Sequence, residues 1–140
     1  MLLKDDLHYT RIVTSFISND EKYLILKRSD NVKSMRGLWG GVSGVIEGNE
    51  DPLKRAKKEI FEETGMREDL ISLIRTAKEI RVISTQYSNH EWIVFPFLFS
   101  TRESKIRLNW KNSEYRWISA NEISKYQTVP SLDNVLASLL

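Results

Sequence analysis

Residues Gly44 to Met66 read GVIEGNEDPLKRAKKEIFEETGM, and this stretch decides how the rest of the chain is understood. Glu59, Glu62 and Glu63 stand at i, i+3 and i+4, positions that are neighbours on one face of a helix. Asp51 followed by Pro52 makes a helix start, with the carboxylate as N-cap and the proline where its missing N–H is harmless. Gly65 offers the left-handed residue at which helices end. Between these limits Leu53, Ala56, Ile60 and Thr64 recur at helical spacing as a stripe to be buried, with Phe61 on its flank. Lys54, Arg55 and Lys58 are left to the polar surface. Carboxylates grouped this way repel one another unless a positive charge lies over them, and a hard divalent cation with oxygen ligands suits the position. The competing reading is a solvated helix face held by i,i+4 pairs such as Lys58 with Glu62.

The wider spacing decides between the two. Gly44, five residues, Glu50, seven residues, then Lys58-Glu59-Ile60-Phe61-Glu62-Glu63-Thr64-Gly65-Met66 resembles the Nudix box of the Nudix hydrolases. That box has Gly, Glu, an Arg-Glu pair, an aliphatic residue, two more Glu, a Gly and a final aliphatic. At a background of about 7% for each Gly or Glu, a chance match to the six of them is ~10⁻⁷ per frame. The one departure is Lys58 in place of the family's Arg. The lead-in GLWGGVSG (37–44) resembles the Gly-rich, Trp-containing run that precedes the box, with Ser43 where a Gly is common. Downstream, Tyr115-Arg116-Trp117-Ile118 followed by Ser119 to Glu122 resembles the late strand and helix of the same fold.

The resemblance implies a fold, a cofactor and roles. The fold is an α/β (α+β) architecture of the Nudix type, an α/β/α sandwich with a central mixed sheet, here as one domain over 1–140. The cofactor is Mg²⁺, with Mn²⁺ as a substitute. Glu59 and Glu63 become the primary ligands, Glu62 a further ligand, and the Gly44 carbonyl completes the site. Water activation is left open between Glu59, Glu62 and a carboxylate outside the box, for which Glu114, just before the Tyr-Arg-Trp strand, is the preferred candidate. Glu50 reads as structural, bracing the loop against the helix start. Lys58 keeps the charge of the family's Arg but not its planar fork, so it is an orienting residue with a looser grip.

Composition fits this class. A chain of 140 residues with 41% hydrophobic content can bury a substantial core and is short for two ordinary domains. A net charge of +2 supplies no basic field calling for nucleic acid. There are no cysteines, so thiolate metal sites, disulfides and cysteine nucleophiles are all excluded. No long apolar run or signal-peptide pattern occurs, which favours a cytoplasmic protein without a membrane partner, as a monomer or homodimer.

Outside the box, Tyr9–Ile17, Tyr23–Arg28, Val42–Ile46, Leu70–Thr85 and Trp92–Phe99 read as extended. In the last of these Ile93, Phe95, Phe97 and Phe99 alternate onto one face, and Pro96 argues for an edge or a bulge. Ser119 with Glu122 forms a capping box opening a short helix, and Ser131–Leu140 reads as a terminal helix. For substrate, Arg28, Lys33 and Arg36, beside Lys27, surround the loop that feeds the box and can meet phosphates through charge. Trp39 either stacks on a base or wedges that loop into the core. The resemblance implies a small nucleotide substrate, a nucleoside diphosphate linked to another group, and the modest size of the chain suits a nucleoside triphosphate. Coenzyme A and nucleotide sugars are alternatives: Arg28-Ser29, Lys33, Gly37 and Gly44 partly resemble the upstream pattern of coenzyme A-cleaving members. A nonenzymatic nucleotide sensor predicts lost box acids, and an isoprenoid diphosphate isomerase calls for a cysteine. Neither condition is met.

Overall fold

The computed structural model describes residues 8–85 and 87–140. Its organising element is the long strand β1 (His8–Asn19), which turns through Asp20 and Glu21 into β2 (Lys22–Arg28). Both turn residues take positive φ, 52° and 64°, the combination a tight hairpin between right-twisted strands demands. The two strands pair only at Ser18↔Tyr23 and Asn19↔Lys22 and then part. Residues 39–45 fill the wedge: β3 (Trp39–Gly40) pairs with β2, and β4 (Val42–Val45) pairs with β1.

The chain continues through α1 (Pro52–Thr64), β5 (Ser72–Thr76), β6 (Ile80–Ile83), β7 (His90–Ser100), β8 (Asn112–Ile118) and α2 (Leu132–Ser138). β7 lies parallel to β1 from His8↔His90 to Ser18↔Ser100, while β5 and β6 run antiparallel along its other side and β8 closes onto β2. The result is one mixed eight-stranded sheet.

Alternation along the strands gives the sheet two apolar faces. Val13, Ile17, Leu24, Leu26, Phe97 and Phe99 pack against Ala56 and Ile60 of α1. Phe16, Ile25, Val94, Leu98 and Ile118 pack against Leu132, Val135, Leu136 and Leu139 at the C-terminal end, with Ile123. Helices therefore cover both faces, as the expected sandwich requires. Ser119 and Glu122 do form their capping box, but the turn they open, Ala120–Lys125, is a 3₁₀ helix.

Two expectations need refining. Pro96 lies in a strand flanked on both sides, yet at a stretch where the outer side is unpaired, so the edge it marks is a local one. It is tolerated because β6 pairs with β7 up to Val94 and β5 takes over from Phe97, so Phe95 and Pro96 face the gap left between those two strands. A residue without an N–H leaves no ladder bond missing there. Arg55, expected on the polar surface, is buried on the same side of α1 as Glu59 and Glu63, for a reason that belongs to the site.

The ends of α1 are fixed as expected. The Asp51 side chain accepts the Leu53 N–H, and Gly65 takes φ +79° while its own N–H bonds the Phe61 carbonyl. A Cβ at Gly65 would lie 3.3 Å from Cβ of Arg107 as well as in the left-handed region. Gly65→Ala is expected to cost about 1–2 kcal/mol, read in urea as a lower midpoint with an unchanged slope.

Candidate metal centre and substrate cleft

α1 packs across β4 with no spacing to spare: a Cβ on Gly44 would overlap the side chain of Glu59. The box glycine is thus required by close approach, and it lets a helix carboxylate sit on the sheet backbone. Glu59 and Glu63 are both 3% exposed. Each spends one oxygen on a neighbour. Glu63 Oε1 accepts from Asn112 Nδ2 at 2.9 Å, and Glu59 Oε1 accepts from Arg55 Nη1 at 3.4 Å. The other oxygen of each, Oε2, is buried without a hydrogen bond among the described residues. Glu59 Oε2 lies 3.5 Å from Lys111 Nζ, an ion pair rather than a well-formed hydrogen bond.

Burial raises the proton affinity of both acids. Glu63 is pushed from an ordinary 4.5 up to about 8, chiefly by desolvation, with Lys111 opposing, Glu59 adding, and Asn112 and Arg28 opposing. Glu59 moves the same way, again by desolvation first and against the pull of Lys111.

The fork that orients the acids comes from Arg55. Its Nε and Nη2 donate to the two oxygens of Glu50 at 2.6 and 2.9 Å, while Nη1 reaches Glu59. Glu50 Oε1 in turn accepts the Glu47 N–H at 3.2 Å. Glu50 therefore ties the loop to the helix, and the Arg55 hydrogen bonds hold its carboxyl below the usual range. The guanidinium is buried because its charge is met on both sides. Lys58 is exposed and forms no ion pair among the described residues, with Glu62 or any other acid. The orienting contact read for position 58 is made from three residues earlier. Its signal was present, since Arg55 and Glu59 are an i,i+4 pair, but the box pattern drew attention to the wrong cation.

Beside the carboxylates lies a cleft of about 390 Å³. Arg28, Lys33, Gly44 and Lys111 line its polar end, and Ile12, Val82, Trp92, Val94 and Val135 supply apolar walls. The hydroxyls of Thr14 and Ser43, 3.0 Å apart, sit on the wall between strands β1 and β4. Arg28 is steadied by its Nε bond to the Ser34 carbonyl at 3.0 Å. Its pKa is lowered by burial and raised by nearby Glu63, and a guanidinium so placed keeps its charge.

Not every expected residue reaches this place. Trp39 is a core residue, 8% exposed, edge-on to Tyr126 at 5.3 Å and covered by Arg116, and it is absent from the cleft wall. Arg36 turns its Nε to the Val32 carbonyl at 2.6 Å and does not line the cleft. Glu114 pairs with Lys27 at 3.3 Å and Arg116 at 3.8 Å. Cross-strand partners share a face, and the pairs Ile25↔Arg116 and Lys27↔Glu114 put Glu114 on the α2 face, away from Glu59 and Glu63. Glu62 is exposed on α1. Conversely, Arg55, Lys111, Asn112, Trp92 and Trp110 belong to the site or its cleft and were not foreseen there. Lys111 and Asn112 lie in and just after a turn with no periodicity to reveal it.

Among the described residues no three His, Cys, Asp or Glu side chains converge as a metal cluster. What converges is a pair of buried carboxylates, each with an unbonded oxygen, over a glycine backbone. That donor set fits Mg²⁺, which prefers one or two carboxylates and takes its remaining oxygens from water and substrate phosphates.

A model of the NUDIX domain matches residues 8–139, and the chain belongs to the Nudix family. An RNA pyrophosphohydrolase of Bartonella bacilliformis is 28% identical over 92 residues, 56% of this chain and 53% of its own length. The chain thus spans about half of that curated relative. Among solved structures, the MutT protein of Methanosarcina mazei superposes with a TM-score of 0.77 at 22% identity, over 97% of this chain and 94% of that one. A C. elegans Ap4A hydrolase gives 0.73 at 12% identity over 94% of each chain. At such identities these are likenesses of fold.

Two outcomes follow from the geometry. Arg55→Met breaks the fork onto Glu50 and leaves Glu59 with Lys111 alone, and is expected to cost about 3 kcal/mol of stability, whereas Lys58→Met should change the urea midpoint little. For pH, the folded protein holds the Glu63 proton in a range where the unfolded chain has lost it. Metal-free stability therefore falls as pH rises from 4.5 through about 8. Melting in EDTA across that range should show the decline, and Glu63→Gln should make it shallower, leaving the part that Glu59 contributes.

Proposed function

We propose that this protein is a divalent-metal-dependent pyrophosphohydrolase that cleaves a nucleoside diphosphate linked to another group. The observation that carries this reading is the pair of buried carboxylates Glu59 and Glu63, next to a cleft lined by Gly44 and Lys111, which both pack on Glu59, and by Arg28, Lys33 and apolar side chains. The relative named for RNA pyrophosphohydrolase activity supports the bond type. A metal ion bound here would neutralise phosphate charge and help ionise water. Glu59, Glu63 and the Gly44 carbonyl would hold it.

The remaining work falls to this chain's own residues. Arg28, Lys33 and Lys111 draw the phosphate chain to the carboxylate end, while the apolar walls around Val82, Trp92 and Val94 take the base out of water. Arg55 and Asn112 keep the two glutamates in fixed rotamers. Attack of a water oxygen on phosphorus breaks one phosphoanhydride P–O bond and forms one P–O bond, releasing two phosphorylated products. Glu59 and Glu62 are the box acids that can take the water's proton, whereas Glu114 would first have to leave its ion pairs with Lys27 and Arg116. A nucleoside triphosphate is the simplest substrate. A triphosphorylated RNA end presents the same group, and the RNA pyrophosphohydrolase relative makes it the second reading.

The test is a panel of nucleoside triphosphates, dinucleoside polyphosphates, nucleotide sugars, coenzyme A and 5′-triphosphate RNA, assayed with Mg²⁺ and with EDTA, with products resolved by chromatography. Cleavage of one class in Mg²⁺ alone is expected. Losing a residue that merely orients a ligand costs roughly 10–100-fold, so Glu63→Gln should lower turnover by about 100-fold or more while the protein stays folded. Equal turnover in the variant would reject the site.

A further inference from the structure

Three cations are close enough to act on the buried carboxylates, and two of them are committed elsewhere. Arg55 is forked onto Glu50, and Arg28 is tied to the Ser34 carbonyl. Lys111 has a single ion pair among the described residues, its Nζ lying 3.5 Å from Glu59 Oε2. Its backbone, in contrast, is pinned. The Lys111 N–H donates to Asn109 Oδ1 at 3.1 Å, and its carbonyl accepts the Ser29 N–H at 2.8 Å. The next residue, Asn112, is bonded to Glu63. The same lysine side chain lines the cleft and is 28% exposed. A fixed base with a flexible aliphatic stem thus stands on the rim between the acids and the cleft.

We propose that Lys111 is an exchangeable counter-ion: its ammonium neutralises Glu59 in the metal-free protein, is displaced by the incoming divalent cation, and then turns into the cleft to bind the phosphate chain of the nucleotide. The phosphate half rests on the hydrolase reading above, and the counter-ion half stands on charge and position alone. An ammonium and a divalent ion cannot share one carboxylate oxygen at a few ångströms in a poorly hydrated site without strong repulsion. Displacement costs the ammonium the one ion pair that it makes among the described residues, and the cleft that it already lines is the open direction. There, a compact cation on a long stem meets phosphate oxygens as a point charge. Arg55 cannot do this, since leaving Glu50 would break a buried fork.

Removing the lysine charge has a definite sign. The ammonium sits on the carboxylate oxygen that the ion needs, so a divalent ion must displace it or bear its repulsion. Loss of that charge therefore favours metal binding. Mn²⁺ binding is measured by calorimetry and by EPR without nucleotide, for the wild type, Lys111→Met and Lys111→Arg. Lys111→Met is expected to bind Mn²⁺ about threefold to tenfold more tightly, and Lys111→Arg, which keeps the charge, to stay within about twofold of wild type. With the nucleotide that the substrate panel identifies, Lys111→Met should raise KM by about tenfold with a smaller change in kcat, and Lys111→Arg should restore much of it.

Unchanged or weaker Mn²⁺ binding in folded Lys111→Met overturns the counter-ion role, and an unchanged KM overturns the phosphate role. If Lys111→Met does not fold, Lys111→Gln carries the same titration. Because that titration needs no turnover, it decides the counter-ion role even where the hydrolase reading fails.

Discussion

Glu59 and Glu63 are carboxyl groups held out of water, and one oxygen of each has no hydrogen bond among the described residues. Most of what surrounds α1 follows from keeping them there. Desolvation raises the proton affinity of both acids and so works against the charged form that a cation needs. Lys111 opposes that penalty at both acids, Arg55 opposes it at Glu59, and Asn112 and Arg28 oppose it at Glu63. They do not cancel it, so the folded protein carries a local instability that binding of a divalent ion would relieve. Such a site is a poor contributor to stability and a good receptor for positive charge.

The sheet makes this burial possible. If β1 and β2 paired along their full lengths, there would be no room for residues 39–45 and no backbone for α1 to cross. Their early divergence admits β4, whose Gly44 lets Glu59 descend onto the strand. The loop after β2 and the turn before β8 then meet at the mouth of the wedge, where Ser29 bonds Trp110 and Lys111 through their carbonyls. Acids and cleft are brought side by side by one topological decision, the parting of a hairpin.

Helix α1 was legible in the sequence almost to the residue because Asp51, Pro52 and Gly65 mark its ends chemically and the stripe from Leu53 to Thr64 has a period. The acids that matter were legible for the same reason, as spacing along a helix converts directly into direction. What was not legible depends on contacts between distant segments. Arg55 looks like any surface arginine until Glu50 is folded back over it. Glu114 and Asn112 are two residues apart, yet the shift in register between Lys27 and Arg28 sends Asn112 to Glu63 and Glu114 to Lys27. A bulge of that kind has no signature in composition, and it decided which polar residue joined the site.

The interruption opposite Pro96 has a mechanical meaning for the cleft. β6 hangs on β7 by four residue pairs that are separated from those of β5 by the unpaired stretch at Phe95 and Pro96. The two outer strands are therefore anchored independently, and slow amide exchange in one need not accompany slow exchange in the other. β6 is the strand that places Val82 in the cleft wall. Displacing that short strand would break its four pairs with β7 and leave the pairing of β5 and the long parallel ladder of β1 and β7 in place.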